Sequence, residues 1–210
     1  MPLDHEVTQA VLSLVSPPPG ALALRVLVCF LLGSIPFAVL AMTGSGIDIR
    51  QVGSGNPGFN NVLRVSKPRA VVALIGDVGK GLLAAWLFHQ PGGGLEIAWL
   101  YGFAAVLGHC YSPFLKFNGG KGIATSAGVM LVLYPPWAAL GVAFFAAIRI
   151  SASRLKWREA GMIASMSTWV FFTALMLAFF DYRQATCAGV MTLFLAWRHK
   201  KNFRNLLVAA

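Results

Sequence analysis

Long apolar runs separated by short polar connections divide the chain into seven segments. A helix of about 20 apolar residues crosses the roughly 30 Å hydrocarbon core of a membrane. The pattern therefore predicts an all-α, polytopic integral membrane protein. Its seven expected transmembrane helices cover 21–42, 70–88, 95–115, 122–134, 137–150, 161–180 and 183–197. Pro135 and Pro136 divide the run 122–150 because a proline pair removes two backbone donors. Five or six helices are the alternative if the short runs cross only in part.

Composition favours a membrane location as well. Hydrophobic residues make up 57% of the chain and charged residues 11%, whereas about 25% of a soluble chain is charged. So few charged side chains would leave large apolar patches on a water-soluble surface, which excludes a soluble globular domain. We expect one membrane-embedded domain over 21–210 after an N-terminal extension over 1–20, which lacks the basic start of a signal peptide.

Basic residues are unevenly shared between the two sides of the predicted bundle. The chain has 17 Lys and Arg against 7 Asp and Glu. The seven-helix pattern places fourteen of these basic residues on one side and only Arg25 and Arg183 on the other. Because Lys and Arg accumulate on the cytoplasmic side, we expect the N-terminus outside and the C-terminus in the cytoplasm. Topology also accounts for the net charge of +10, so no nucleic-acid partner is predicted.

Two of the expected cytoplasmic connections are rich in glycine, namely 48–64 (DIRQVGSGNPGFNNVLR) and 108–126 (GHCYSPFLKFNGGKGIATS). Glycine lets backbone N–H groups converge on an anion, and a following helix N-terminus adds partial positive charge. Arg64 and Lys121 add full charges, so the two loops predict a site for phosphate-bearing substrates. Small side-chain donors are available from Ser54, Asn56, Asn60, Asn61 and Thr125. The alternative is that the glycines only permit tight turns at helix ends.

Several better-known catalytic signatures are absent from the sequence. Lys121 is not followed by Ser or Thr, as a nucleotide-binding P-loop requires, and no serine lies in a G-x-S-x-G elbow. None of the four histidines has an Asp five residues later, and no Cys or His pair has metal-ligand spacing. The sequence therefore predicts no metal site, no cofactor and no covalent nucleophile, but chemistry by positioning and charge.

Four titratable side chains could serve either the structure or the site. Asp77 and Lys80 share a helix face inside an apolar run, which favours a structural ion pair over direct substrate contact. His109 is equally consistent with helix packing and with a role in the site. His199 would, on composition alone, be a solvated member of a basic tail, with Asn202 on the same helix face.

The motifs together resemble those of the bacterial acyl-phosphate:glycerol-3-phosphate acyltransferases, the PlsY family. The resemblance begins near residue 30 and depends on the combination and order of six motifs. These are GSIPFAVL (33–40), the loop 48–64, GDVGKG (76–81), GHCYSPFLKFNGGKGIATSAGV (108–129), IAS (163–165) and RHKKN (198–202).

The resemblance implies a seven-helix enzyme of the bacterial cytoplasmic membrane with its site at the cytosolic face. It implies transfer of a fatty acyl group from acyl phosphate to the 1-hydroxyl of glycerol 3-phosphate, giving lysophosphatidate and phosphate. The catalytic positions carried over are Ser54, Arg64, Lys121, His199 and Asn202. The implied substrate-binding positions are Gly53, Gly55, Asn56, Gly58, Asn60, Asn61, Gly119, Gly120, Gly122, Thr125 and Ser165.

This chain departs from the family pattern at a few positions. Asn60 replaces a Thr, Asn118 replaces a Lys, and Met162 stands where the resemblance would put a Ser. The Gly-x-Glu that typically follows the last motif is also missing. Its absence bears on how the C-terminal tail is held in place and not on the catalytic residues.

The expected mechanism is direct acyl transfer, because an acyl phosphate already carries a good leaving group. Arg64 and Lys121 would offset the repulsion between two anionic substrates. The hydroxyl proton could pass to Ser54, to His199 or to the substrate's own phosphate, whose second pKa is near 6. An organophosphate transporter and an inactive membrane scaffold are the competing functions.

Overall fold

The structure is a computed structural model that describes residues 17–89 and 94–208. All regular elements within these ranges are helical, as predicted. The helices are α1 (Pro19–Ser34), α2 (Phe37–Ala41), α3 (Phe59–Leu63), α4 (Lys67–Leu87), α5 (Leu95–Cys110), α6 (Ile123–Leu133), α7 (Pro135–Arg154), α8 (Ala160–Phe179), α9 (Tyr182–Arg198) and α10 (Lys200–Leu207). Two 3-10 turns, Ile49–Gln51 and Pro113–Leu115, lie in the glycine-rich connections.

Within residues 17–89 and 94–208, four segments are long and apolar enough to cross a membrane. They are Pro19–Met42, Lys67–Leu87, Pro135–Arg154 and Ala160–Phe179. Helices α5 and α9 are shorter, with 16 and 17 residues, and α6 has 11. The structure therefore describes an all-helical chain with several membrane-length helices, and the number of seven crossings stays a prediction. Most of the predicted extension, residues 1–16, lies outside the described residues.

The first predicted membrane-length segment, 21–42, is confirmed as Pro19–Met42, but it contains two helices rather than one. Helix α1 ends at Ser34, and α2 starts at Phe37 after a break at Ile35 and Pro36. Proline has no N–H to donate and disfavours helical geometry in the residue before it, so the helix cannot continue. The break frees carbonyl groups, and two side chains bond to them. Lys80 donates to the Ile35 carbonyl at 2.7 Å, and Ser112 donates to the Ser34 carbonyl at 2.6 Å.

The other proline pair acts as predicted, since α6 ends at Leu133 and α7 begins at Pro135. The third predicted helix, by contrast, ends at Cys110 rather than at residue 115. Its last expected turn is instead part of the second glycine-rich connection.

Two helix pairs approach closely at glycines. A Cβ on Gly33 of α1 would overlap the Ala105 carbonyl of α5, and one on Gly108 would overlap the Phe30 carbonyl in return. Gly81 of α4 and Gly128 of α6 make the same reciprocal contacts, with backbone carbonyls of the opposite helix. Small residues let membrane helices approach to backbone contact, which compensates for the absence of a strong hydrophobic driving force within lipid. The contact between Gly33 and Gly108 lies near the end of α5, and the contact between Gly81 and Gly128 holds α6 against α4. The second glycine-rich connection runs between these two helices, α5 and α6.

An ion pair lies inside this bundle. Lys80 Nζ is 2.8 Å from Asp77 Oδ1, and both side chains are almost fully buried. His109 Nδ1 lies 3.4 Å from the same carboxylate oxygen. The i,i+3 spacing predicted this pairing, and a buried charge with a partner costs much less free energy than an isolated one.

Candidate functional site

The first glycine-rich connection is held together by Asn61. Its amide nitrogen donates to the carbonyls of Ile49 and Val52, both at 2.8 Å, while its Oδ1 accepts from the Ser54 N–H at 3.1 Å. The residue is only 1% exposed. Because both amide donors are already used, Asn61 braces the loop and has no free donor for an anion.

Gly53 allows Arg64 to lie across this loop. The glycine has φ of +57°, and a Cβ there would lie 2.6 Å from Asn61 Oδ1 and 3.0 Å from Arg64 Nη1. The guanidinium of Arg64 therefore lies directly over the Gly53 backbone. Ser54 is exposed beside it, and its hydroxyl accepts the Asn56 N–H at 3.4 Å.

The second glycine-rich connection is fixed by Arg198. Its Nη2 donates to the carbonyls of Cys110 at 3.1 Å, Gly119 at 3.3 Å and Gly120 at 2.9 Å. Its guanidinium also lies 4.6 Å from the centre of the Tyr111 ring. The sequence indicated Arg198 only as a topological charge, because nothing local shows that it bonds to a loop almost 80 residues away.

Many of the loop amides expected to hold phosphate are already bonded. The N–H groups of Gly119 and Gly120 donate to Cys110 and His109, both at 3.1 Å. Those of Gly55 and Gly58 donate to Val52 and Asn56, both at 3.0 Å. Turn formation therefore engages the N–H groups of these four glycines, and their role in substrate binding stays a prediction. Within the described residues, no backbone acceptor bonds the N–H of Gly53, Lys121 or Gly122, and α6 begins immediately after.

Lys121 links the second loop to helix α10. Its Nζ donates to Asn202 Oδ1 at 2.5 Å. Asn202 Nδ2 in turn donates to Glu159 Oε2 at 2.5 Å, and Asn205 Nδ2 donates to Glu159 Oε1 at 2.9 Å. Glu159 lies in the connection between α7 and α8, and sequence reasoning did not identify it as part of the site.

The charges around Lys121 affect its protonation. Burial lowers the pKa of Lys121, and the nearby cations Arg198, Arg64 and Lys201 lower it further, whereas the Glu159 carboxylate opposes the change. Burial alone would raise the pKa of Glu159, but hydrogen bonds from Asn205 and Asn202 and the charges of Lys121 and Arg64 lower it overall. The first loop, the second loop and the segment after α9 therefore all place cations around the Asn202 amide and the Glu159 carboxylate.

His199 is buried rather than solvated, with only 4% of its surface exposed. This corrects the expectation based on composition, because the polar sequence around His199 does not keep its imidazole in solvent. Its Nδ1 lies 2.8 Å from the Leu195 carbonyl, so this nitrogen carries the proton and Nε2 is the acceptor. Burial, together with the charges of Lys121 and Arg198, lowers the pKa of His199 to about 4. The imidazole is therefore neutral at pH 7.

The remaining predicted residues occupy three different environments. Asn60 is exposed, and its amide nitrogen would lie 3.3 Å from a Cβ on Gly161 at the start of α8. Ser165 is buried and donates to the Gly161 carbonyl at 2.7 Å. Thr125 is fully buried in α6, and its hydroxyl has no hydrogen-bond partner within the described ranges. Met162 packs in the main apolar core.

A small cavity lies between the two loops. Pro57 of the first loop and Gly120 of the second both line it, and Asp77, Lys80 and His109 form its polar wall. Gly120 is required there because a Cβ would overlap the His109 imidazole. Among the described residues, no group of three His, Cys, Asp or Glu side chains could hold a metal ion.

Membrane-length apolar helices whose ends carry two glycine loops and a cluster of cations define a multi-pass membrane protein with a polar candidate site. The family model for glycerol-3-phosphate acyltransferase matches residues 23–209. A glycerol-3-phosphate acyltransferase from Pseudomonas paraeruginosa is 40% identical over 189 residues, which is 87% of this chain and 94% of the relative. A relative of the same name from Zymomonas mobilis is 38% identical over 190 residues, covering 85% of this chain and 88% of its own length.

Two solved structures show a similar fold. The crystal structure of PlsY, an integral membrane glycerol 3-phosphate acyltransferase, in its glycerol 3-phosphate form matches with a TM-score of 0.77 and 30% identity. The match covers 90% of this chain and 93% of the other. The lysophosphatidic acid form matches over the same shares with a TM-score of 0.75 and 29% identity. The chain therefore belongs to the PlsY family of glycerol-3-phosphate acyltransferases.

Proposed function

We propose that this protein transfers a fatty acyl group from acyl phosphate to the 1-hydroxyl of glycerol 3-phosphate. The products are 1-acyl-glycerol 3-phosphate and inorganic phosphate. The observation that carries the proposal is the convergence of Arg64, Lys121 and Arg198 near the Asn202 amide and the buried His199. Such a cluster suits the binding of two phosphate-bearing substrates, and family membership supplies the reaction class.

In the proposed reaction the glycerol hydroxyl attacks the carbonyl carbon of the mixed anhydride. The new ester bond forms while the bond from that carbon to the phosphate oxygen breaks, and phosphate leaves with the electron pair. Arg64 and Lys121 reduce the repulsion between the two anions and stabilise the leaving phosphate. Gly53, Lys121 and Gly122 have backbone N–H groups available for phosphate oxygens. Asn202 orients polar groups beside Lys121.

The protonation of His199 favours the substrate's phosphate as the proton acceptor. A base with a pKa of about 4 is weaker than a phosphate monoester, whose second pKa is about 6. The neutral imidazole keeps Nε2 available to accept a hydrogen bond, which suits orientation of the hydroxyl better than proton removal. We assign the proton to the phosphate of glycerol 3-phosphate and an orienting role to His199.

The proposal places the site at the cytosolic face of the bacterial cytoplasmic membrane. Seven crossings, with the N-terminus outside and the C-terminus in the cytoplasm, would bring both glycine loops, Glu159 and the tail after α9 to one side. Hydrogen bonds join the second loop to the tail and the tail to Glu159, and Asn60 of the first loop lies beside Gly161. These contacts support the arrangement, since a single site requires the four segments on the same side. The lipid chain of the donor would lie between the helices, and residues 21–210 would act as one domain.

The test uses purified protein in detergent with acyl phosphate and labelled glycerol 3-phosphate. Formation of lysophosphatidate and release of phosphate in equal amounts is the expected result. Acyl coenzyme A and acyl-carrier protein, tested side by side, should give no product. Uptake of glycerol 3-phosphate into sealed vesicles, without acylation in detergent, would instead indicate a transporter, and neither activity would indicate a scaffold.

A further inference from the structure

Glu159 occupies an unusual backbone position beside the site. It has φ of +55°, immediately before α8, in the left-handed region that side-chain-bearing residues seldom adopt. Both of its carboxylate oxygens accept hydrogen bonds from the C-terminal segment, one from Asn202 and one from Asn205. The carboxylate therefore connects the start of α8 to α10.

The chemistry of the three partners leaves only one orientation for the Asn202 amide. A lysine ammonium only donates hydrogen bonds, and an ionised carboxylate only accepts them. Asn202 must therefore present its oxygen to Lys121 and its nitrogen to Glu159, as the structure has it. Without the carboxylate, the amide could rotate, and its nitrogen would face a cation.

We infer that Glu159 is a positioning residue for Lys121, acting through the Asn202 amide and by its own negative charge. This inference rests on the proposed function, because Lys121 is placed there as a ligand of the anionic substrates. Glu159 itself need not touch a substrate. Its role is to keep one ammonium ionised and aimed among Arg64, Arg198 and Lys201, which would otherwise favour loss of its proton.

Three substitutions at Glu159 separate charge from shape. Glu159→Gln removes the charge but keeps one acceptor oxygen, and Glu159→Asp keeps the charge on a side chain shorter by one methylene. Glu159→Gly removes the whole side chain without backbone strain, because glycine accepts a positive φ. The matched control is Asn205→Ala, which removes one hydrogen bond to Glu159 and leaves the carboxylate near Lys121.

The first measurement is kcat/KM for glycerol 3-phosphate across pH. We expect kcat/KM of Glu159→Gly to be about tenfold lower than that of the wild type at neutral pH. A loss of this size corresponds to one hydrogen bond to a charged group. In Glu159→Gln the alkaline limb of the pH profile should move to lower pH, because Lys121 loses the negative charge that keeps it protonated. In Glu159→Asp and Asn205→Ala, which keep the carboxylate, the limb should stay at the wild-type position. If Glu159 had a purely structural role, its substitution would lower kcat/KM by the same factor at every pH. The alkaline limb of the pH profile would then stay at the wild-type position.

A second measurement does not require turnover. The rate at which acetic anhydride modifies Lys121 is followed against pH by peptide mass spectrometry, with exposed Lys116 as the internal reference. A lower midpoint for Lys121 in Glu159→Gln, with the midpoint in Asn205→Ala unchanged, supports the inference. An unchanged midpoint in a Glu159→Gln protein of normal thermal stability overturns it. A wild-type protein without acyl transfer would refute the proposed function, and the labelling would still decide the role of Glu159.

Discussion

Arg64 and Lys121 carry the proposed binding of the two anions. Arg64 lies over the Gly53 backbone in the first loop, and Lys121 ends the second loop with its ammonium bonded to Asn202. Arg64 is exposed and Lys121 half-buried, so neither side chain contributes to the apolar core. Truncating either one should therefore change binding and leave the fold intact.

We expect Arg64→Ala and Lys121→Ala each to lose most of the acyltransferase activity, because each leaves the two repelling anions with one cation fewer. Turnover of purified variants and their thermal unfolding measure the effect and the integrity of the fold. Lys67→Ala and Lys116→Ala are matched controls, since both residues are exposed near the respective loops. Full activity in both site variants would contradict the proposed ligands.

His199 gives the protein a predictable dependence on acid. Its pKa is about 4 in the folded protein, against 6.5 for an ordinary histidine. The unfolded chain therefore binds a proton more readily between these values, and the free energy of unfolding should fall as pH decreases from 6.5 towards 4. The midpoint of thermal unfolding in detergent should show this fall, and the fall should be smaller in His199→Gln.

The same variant tests the assignment of the proton. If the substrate's phosphate is the base, His199→Gln should retain measurable turnover with a raised KM or a lowered kcat from poorer orientation. A complete loss of turnover in a stably folded His199→Gln protein would indicate that the imidazole itself removes the proton.

Among the elements, the close pair α4 and α6 sets the position of the second loop. Gly81 and Gly128 bring the two helices to backbone contact, and α6 begins directly after Gly122. A methyl group at either glycine would push α6 away from α4 and displace the adjoining Lys121. Membrane helix pairs of this kind tolerate almost no added volume.

We expect Gly81→Ala to destabilise the protein by overpacking, by about 1–3 kcal/mol. Gly79→Ala is the matched control on the same helix, because a Cβ there would meet nothing within 4 Å. Thermal unfolding in detergent and the yield of monodisperse protein provide the comparison. Equal stability of the two variants would show that the α4–α6 contact is looser than described.

Some elements were predictable because their cause is local. The proline pair that separates α6 from α7 and the i,i+3 spacing of Asp77 and Lys80 can both be identified in short stretches of sequence. The break at Pro36 has an equally local cause, but the apolar run around it was long enough to suggest one helix. Element boundaries were therefore less predictable than the elements themselves.

The site could be predicted only in part. The glycine loops and the cations Arg64 and Lys121 stand out in the sequence by composition. The bracing roles of Asn61 and Arg198 and the contact of Glu159 with Asn202 depend on tertiary approach between distant segments. Burial of His199 likewise cannot be inferred from the polar segment that surrounds it.

At the scale of the whole molecule, the proposed topology assigns each connection to one side of the membrane. The connection between α7 and α8 should face the cytoplasm, and the one between α8 and α9 the outside. The two connections are separated by α8, a helix of 20 residues that is long enough to cross the bilayer.

Single cysteines at Ser153 and Tyr182, both exposed, test this arrangement. In a Cys187→Ser background, where Cys29 and Cys110 are buried, a membrane-impermeant thiol reagent is applied to intact spheroplasts and to inverted vesicles. We expect Tyr182→Cys to react in spheroplasts and Ser153→Cys only in inverted vesicles, because the bilayer separates them. Reaction of both from the same side would exclude the seven-helix topology.

The Lys80 ammonium donates to the Ile35 carbonyl beside the discontinuity at Pro36, although 43 residues lie between Pro36 and Lys80 in the sequence. The same ammonium is also paired with Asp77, and the Ile35 carbonyl accepts a second hydrogen bond from the Phe37 N–H. Replacing Pro36 would still leave Lys80 its carboxylate partner, whereas replacing Lys80 would leave the buried Asp77 carboxylate without its ammonium. Asp77 and Lys80 should therefore be free to change only as a couple, because the loss of one leaves the buried charge of the other without its partner.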